Sequence, residues 1–170
     1  MYRGLAVHIV EGPQNPPRQC FNFGGGTYNY PIIVCVNQSK DEVADYLEQV
    51  TGVDPGDDIN EFYHPESDGT TITLSRKKYK KTGYLIILNG FGFNAYWHGV
   101  IAHEAFHTVA LHFEHIGLQF EVESGNEAWA YEIDRVVQMI TEGCWGHDGA
   151  IDGSLHYTVQ KLRVPDSVWP

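Results

Sequence analysis

At 170 residues, with 42% hydrophobic and 19% charged residues, the chain has the size and balance of one globular domain with a substantial core, spanning 1–170. A net charge of −11 argues against a nucleic-acid partner, because a phosphate backbone calls for a basic surface. The longest apolar run, YLIIL at Tyr84 to Leu88, is far too short to cross a bilayer, and the opening MYRGLAVHIVEGPQNPP lacks the pattern of a signal peptide, so no membrane partner is expected.

GLAVHIV (Gly4 to Val10) reads as a short strand that Gly12 and Pro13 end. A Pro, Asn and Gly-rich stretch follows through GGGTYNY, whose glycines fit no phosphate-binding fingerprint. PIIVCVN (Pro31 to Asn37) is the second predicted strand. Ser39 then opens a helix through a capping box with Glu42, Val43, Tyr46, Leu47 and Val50 mark its apolar face, and Gly52 stops it. VDPGDDINEFYHPESDG is punctuated by Pro and Gly and reads as loop. TTITLS (Thr70 to Ser75) and GYLIILN (Gly83 to Asn89) carry the β-branched bias of strands and predict a hairpin, with the basic cluster RKKYKK (Arg76 to Lys81) as its solvated tip or, alternatively, a docking patch for an acidic partner.

From about Ala95 the period changes to that of a helix, with Ala102, Phe106, Val109 and Phe113 as its expected buried face and Gly117 as its stop. A second helix is predicted from about Asn126, with Trp129, Ile133, Val136, Val137 and Ile140 inward and Gly143 at its end. Strands first and a helix pair last is an α+β pattern, here a small, mostly antiparallel sheet followed by two helices. Three cysteines, Cys20, Cys35 and Cys144, form no CxxC and cannot all pair, which fits free thiols and a cytoplasmic setting.

The chemistry is carried by VIAHEAFHTVA (Val100 to Ala110). Residues four apart on a helix share a face, about 6 Å along the axis. His103 and His107 can therefore aim imidazole nitrogens at one metal ion. Glu104 lies beside that face, where its carboxylate can take a proton from a metal-bound water without ligating the metal. A catalytic zinc takes a third protein ligand and keeps one position open. Glu114 lies seven residues beyond His107, about 10 Å further along the axis, and is too far. A metzincin needs a histidine where this chain has Phe113. The remaining candidates are His112, His115, Glu121, Glu123 and Glu127.

Glu127 fits best, because the interval lets one helix end and a second return beside it. Ser124 to Glu127 also reads as a capping box, in which Glu127 serves only a backbone amide. Glu127, Tyr131, Asp134 and Gln138 form a polar stripe, and Tyr131 with the small Ala130 suits packing against a neighbour. On that stripe Asp134 is placed to orient a ligating histidine, and Tyr131 to donate its hydroxyl to a tetrahedral intermediate.

HEAFH followed by GNEAWAYEID resembles the HExxH…NE arrangement of thermolysin-like zincin metallopeptidases of the glutamate-ligand (gluzincin) type. It is also similar to ImmA/IrrE-type and phage-encoded metallopeptidases, in which a glutamate with alanine three residues on follows HExxH. The resemblance covers residues 95 to 142 and implies one zinc ion on His103, His107 and Glu127, Glu104 as general base, and a peptide or protein substrate. Thermolysin-like enzymes carry an aspartate four residues after the ligand glutamate, where this chain has Tyr131. In zincins an edge strand pairs with extended substrate, and GYLIILN is the strand expected in that place. Two other readings stay open: a non-catalytic, metal-stabilised protein-binding module, with His112 or His98 closing the site, and a metal-dependent hydrolase of a non-peptide substrate.

Overall fold

The structure is a computed structural model that describes residues 18–24, 28, 30–79, 82–92, 94–120 and 126–145. The predicted strand Gly4 to Val10, the glycines at 24–26 beyond Gly24, the putting-together of Ser124 with Glu127, and the tail after Trp145 lie outside those residues.

Four strands form one sheet in the order β1-β2-β4-β3, with β1 (Gln19–Gly24) and β3 (Gly69–Leu74) at the edges and β2 (Pro31–Val36) and β4 (Gly83–Leu88) at the centre. β1 runs antiparallel to β2 and β3 antiparallel to β4, while β2 and β4 are parallel. The central strands are apolar without alternation because both faces are covered. Ile32, Val34, Val36, Tyr84, Ile86 and Leu88 point to one side, and Ile33, Cys35, Leu85 and Ile87 to the other. Three layers result, with helices on both faces of a mixed sheet.

The hairpin of β3 and β4 is as expected, but GYLIILN is interior, paired on both sides, and the edge strand of the hairpin is β3. β1 was not expected at all; QCFNFG has few β-branched residues and sits among Pro and Gly. The segment read as loop contains a short helix, α2 (Asp58–Phe62), that seats Ile59 in the core. The basic tip is a turn of helix, α3 (Arg76–Tyr79). There Lys78 pairs with Asp58 at 2.8 Å and Tyr79 is buried, so this part of the cluster is a clasp to α2.

α1 (Lys40–Thr51) forms as its sequence dictates. Ser39 and Glu42 exchange both capping-box bonds, and Gly52 ends the helix at φ 69°, where an L side chain would be strained. α1 covers the second face through Val43 and Leu47.

The other face belongs to α4 (Ala95–Ile116) and α5 (Asn126–Trp145). Asn37, at φ 54° just past β2, directs α4: its side chain donates to the Phe91 carbonyl at 3.0 Å and accepts from the Phe91 amide at 2.7 Å. Asn94 then caps the helix by accepting from the amides of Tyr96 and Trp97, and Gly117 ends it at φ 76°. The buried face of α4 is Trp97, Ile101, Glu104, Ala105, Thr108, Val109, His112 and Phe113. Ala102 and Phe106, expected inside, are exposed. The expected stripe is therefore rotated, because three inward positions, Glu104, Thr108 and His112, are polar and hydropathy counts them as surface. α5 presents Trp129, Val136 and Ile140 inward, as expected, but runs past Gly143 to Trp145. Gly143 lies against the ring of Phe21 on β1, where an added Cβ would come within 2.2 Å of the ring; closeness rather than helix termination explains that glycine. Among the described residues no helix is long and apolar enough to cross a membrane.

Candidate metal centre

His103 and His107 stand one turn apart on the exposed side of α4. Their rings are set at 82° with centroids 4.5 Å apart, and their Nε2 atoms converge to 2.9 Å. Two ligand nitrogens on a tetrahedral zinc stand about 3.3 Å apart, given bonds of about 2.05 Å, so small rotations of the rings open the pair to that spacing. Two exposed imidazoles aimed at a common point are the arrangement the helix spacing requires.

Glu104, next in sequence to His103, is buried. Its side chain is only 4% exposed and turns under the edge strand β3. Thr71 donates its hydroxyl to Glu104 Oε2 at 2.7 Å, and the same hydroxyl lies 3.2 Å from the Glu104 carbonyl oxygen. Thr108 donates to that carbonyl at 2.9 Å. The carboxylate rests against Gly69, where an added Cβ would come within 2.6 Å of Oε1. A glycine at the start of a strand signals such a close approach, and in SDGTTITLS it was legible although unused. Thr71 had no comparable signal, since only the pairing of β3 with β4 brings it over α4.

Gly69→Ala should therefore push the Glu104 carboxylate off its seat while leaving both histidines alone. If the expected metallopeptidase chemistry runs through this seat, kcat should fall by about 10²-fold at unchanged metal content, the cost of misplacing a reacting group by about 1 Å. Steady-state kinetics beside metal analysis read it, and an unchanged kcat would deny this seat any part in the chemistry.

The other predicted residues lie on α5 and at the far end of α4. Glu127 is exposed in the first turn of α5. Tyr131 is 72% exposed, and Ala130, Asp134 and Gln138 are exposed with it. Among the described residues, then, the polar stripe faces outward and Tyr131 and Ala130 do not pack against a neighbour. No group of three His, Cys, Asp or Glu side chains comes together to hold a metal ion among the described residues; Glu121 and Glu123 lie outside them.

His112 is not at the pair. It is buried, stacked on Tyr30 at 3.8 Å between ring centroids, with Nδ1 3.3 Å from the Tyr84 hydroxyl. Burial first, and the neighbouring His115 second, pull its pKa down to about 4, so it is neutral near pH 7. His115 meets the Thr82 hydroxyl at 3.3 Å. The expectation of a site closed by His112 thus fails on position.

Glu132 escaped the sequence reading altogether. It is only 2% exposed, on the inward face of α5, and with burial its charge raises the Tyr30 hydroxyl well above its ordinary pKa. Its polarity hid its burial, as it hid that of Glu104. Compared with models of protein families, with curated proteins and with solved structures, the chain matches none.

Proposed function

We propose that the chain is a zinc-dependent peptidase of the glutamate-ligand zincin type, acting in the cytoplasm on peptide or protein substrates. The observation that carries the reading is the convergence of His103 and His107 Nε2 at 2.9 Å, next in sequence to a carboxylate that Thr71 and Gly69 hold in place. His103 and His107 would hold the ion, with Glu127 as the third ligand. Zinc, when bound, supplies Lewis-acid polarisation of the scissile carbonyl and a water acidified towards neutrality.

The remaining steps belong to the chain. Glu104 takes a proton on its carboxylate from the attacking water and returns it to the leaving amine nitrogen. Thr71 fixes the carboxylate through Oε2 and so fixes where that proton is held. Tyr131, with its ring exposed on the stripe that carries Glu127, donates its hydroxyl to the oxyanion. Among the described residues β3, which meets Glu104 through Thr71, has an unpaired edge, and main-chain pairing of an extended substrate along it would orient the peptide. The cytoplasmic setting rests on the odd number of cysteines and the lack of a CxxC in the sequence.

The test is hydrolysis of an unstructured protein such as casein by zinc-loaded chain. Cleavage should disappear on chelation and return with zinc. Cleavage that survives exhaustive chelation would contradict the proposal.

A further inference from the structure

The three cysteines, read in the sequence as scattered, are resolved by the sheet into a pair and a single residue. Cys20 on β1 lies directly opposite Cys35 on β2. Directly opposed residues of an antiparallel pair have Cα atoms about 4.5–5.5 Å apart, inside the roughly 4.4–6.8 Å window that a disulfide spans. The two Sγ atoms are 2.8 Å apart as thiols. Bringing them to a bond of about 2.05 Å takes less than an ångström of side-chain motion and no change of register. Cys144 is buried in the core on the other face of the sheet, away from this pair.

The two sulfurs differ in access. Cys20 is half-buried on the edge strand, while Cys35 is fully buried against α1 and α2. Contact with Cys20 and burial both raise the Cys35 thiol, so it stays protonated until its partner reacts.

We propose that Cys20 and Cys35 form a reversible dithiol site that a low-molecular-weight disulfide of the glutathione class oxidises to a cross-strand bond. The Cys20 thiolate attacks one sulfur of the small disulfide, making a mixed disulfide and releasing one small thiolate. That thiolate takes the Cys35 proton, and the Cys35 sulfur attacks Cys20, breaking the mixed bond and expelling the second small thiolate, which takes up the proton that Cys20 had released. Two protein thiols lose two electrons and two protons in all, and one small disulfide becomes two thiols.

The bond would staple β1 to the central strand. β1 holds the end of α5, through the Gln19 side chain donating to the Gly143 carbonyl at 2.8 Å and through Phe21 against Gly143. Oxidation thus tightens the fold from the face opposite α4, without contact with His103, His107 or Glu104, and the inference does not depend on the peptidase reading.

The experiment equilibrates the full chain with mixtures of oxidised and reduced glutathione, then counts thiols in denaturant and maps linked peptides. Wild type should fall from three free thiols to one, with Cys20 and Cys35 in one linked peptide. Its Tm should rise by roughly 5–10 °C, reversibly with excess reduced glutathione. Cys144→Ser should form the same bond, and Cys20→Ser should show neither bond nor shift. Three persistent thiols, an adduct that stops at Cys20, a bridge to Cys144 or an unchanged Tm would overturn the proposal.

Discussion

Glu104→Gln should lower peptide cleavage by about 10²–10⁴-fold, the usual contribution of a general base, with bound zinc and fold unchanged. The substitution keeps the volume of a side chain that is 4% exposed, so the packing under β3 survives. A glutamine oxygen still accepts the Thr71 hydroxyl, now 2.7 Å from Oε2, so the contact that positions the group survives as well. What is lost is the proton acceptor. The corresponding barrier increase is about 3–5 kcal/mol. Measuring kcat/KM and zinc content on the same preparation separates chemistry from metal binding; wild-type activity in this variant would remove Glu104 from the mechanism.

Acid should destabilise the fold well before its carboxylates titrate. His112 has a native pKa of about 4, against an ordinary value of about 6.5. The unfolded chain therefore binds the proton first. Stability conferred by the neutral, buried ring is complete above pH 6.5 and is lost as pH falls towards 4. The integrated loss is about 3 kcal/mol. The groups around the ring are Tyr30, stacked on it, Tyr84, facing Nδ1, Phe113 and Tyr28 at its edges, and His115, whose charge opposes protonation. The exposed Arg18–Glu42 pair acts lower, because Arg18 and the Ser39 cap hold Glu42 at about 2. Urea midpoints of wild type and His112→Phe, followed from pH 7 to 4.5, read the effect. The variant should start lower, with the Tyr84 hydroxyl unpaired, and lose less on acidification. Parallel slopes would contradict the assignment.

Local rules carried the parts of the fold that local physics decides. The Ser39 and Glu42 capping box, the left-handed stops at Gly52 and Gly117, and the β2 and β4 runs stand where the sequence places them. Sheet order is a long-range property, yet one clue was present. The unbroken apolarity of GYLIIL marks a strand covered on both faces, while the Thr-rich TTITL suits the edge. The face of α4 was misread for a different reason. Glu104 and Thr108 are inward because β3 and the Glu104 carbonyl satisfy them, and His112 is inward with its Nδ1 at the Tyr84 hydroxyl and its ring stacked on Tyr30; no periodicity of hydropathy carries that information.

The candidate site divides along the same line. Helical spacing alone puts His103 and His107 side by side, whereas a ligand from α5 depends on how two helices meet through a connection that includes Glu121 and Glu123. Thr71, which with Gly69 seats Glu104, comes from an element far away in sequence and became visible only when β3 was placed.

Zinc stoichiometry of purified wild type beside His103→Ala, His107→Ala, Glu127→Ala and Glu123→Ala tests the metal centre most directly. Wild type and Glu123→Ala should each carry one zinc per chain, and the two histidine variants and Glu127→Ala should lose it. Full zinc retention in either histidine variant would contradict the proposed centre.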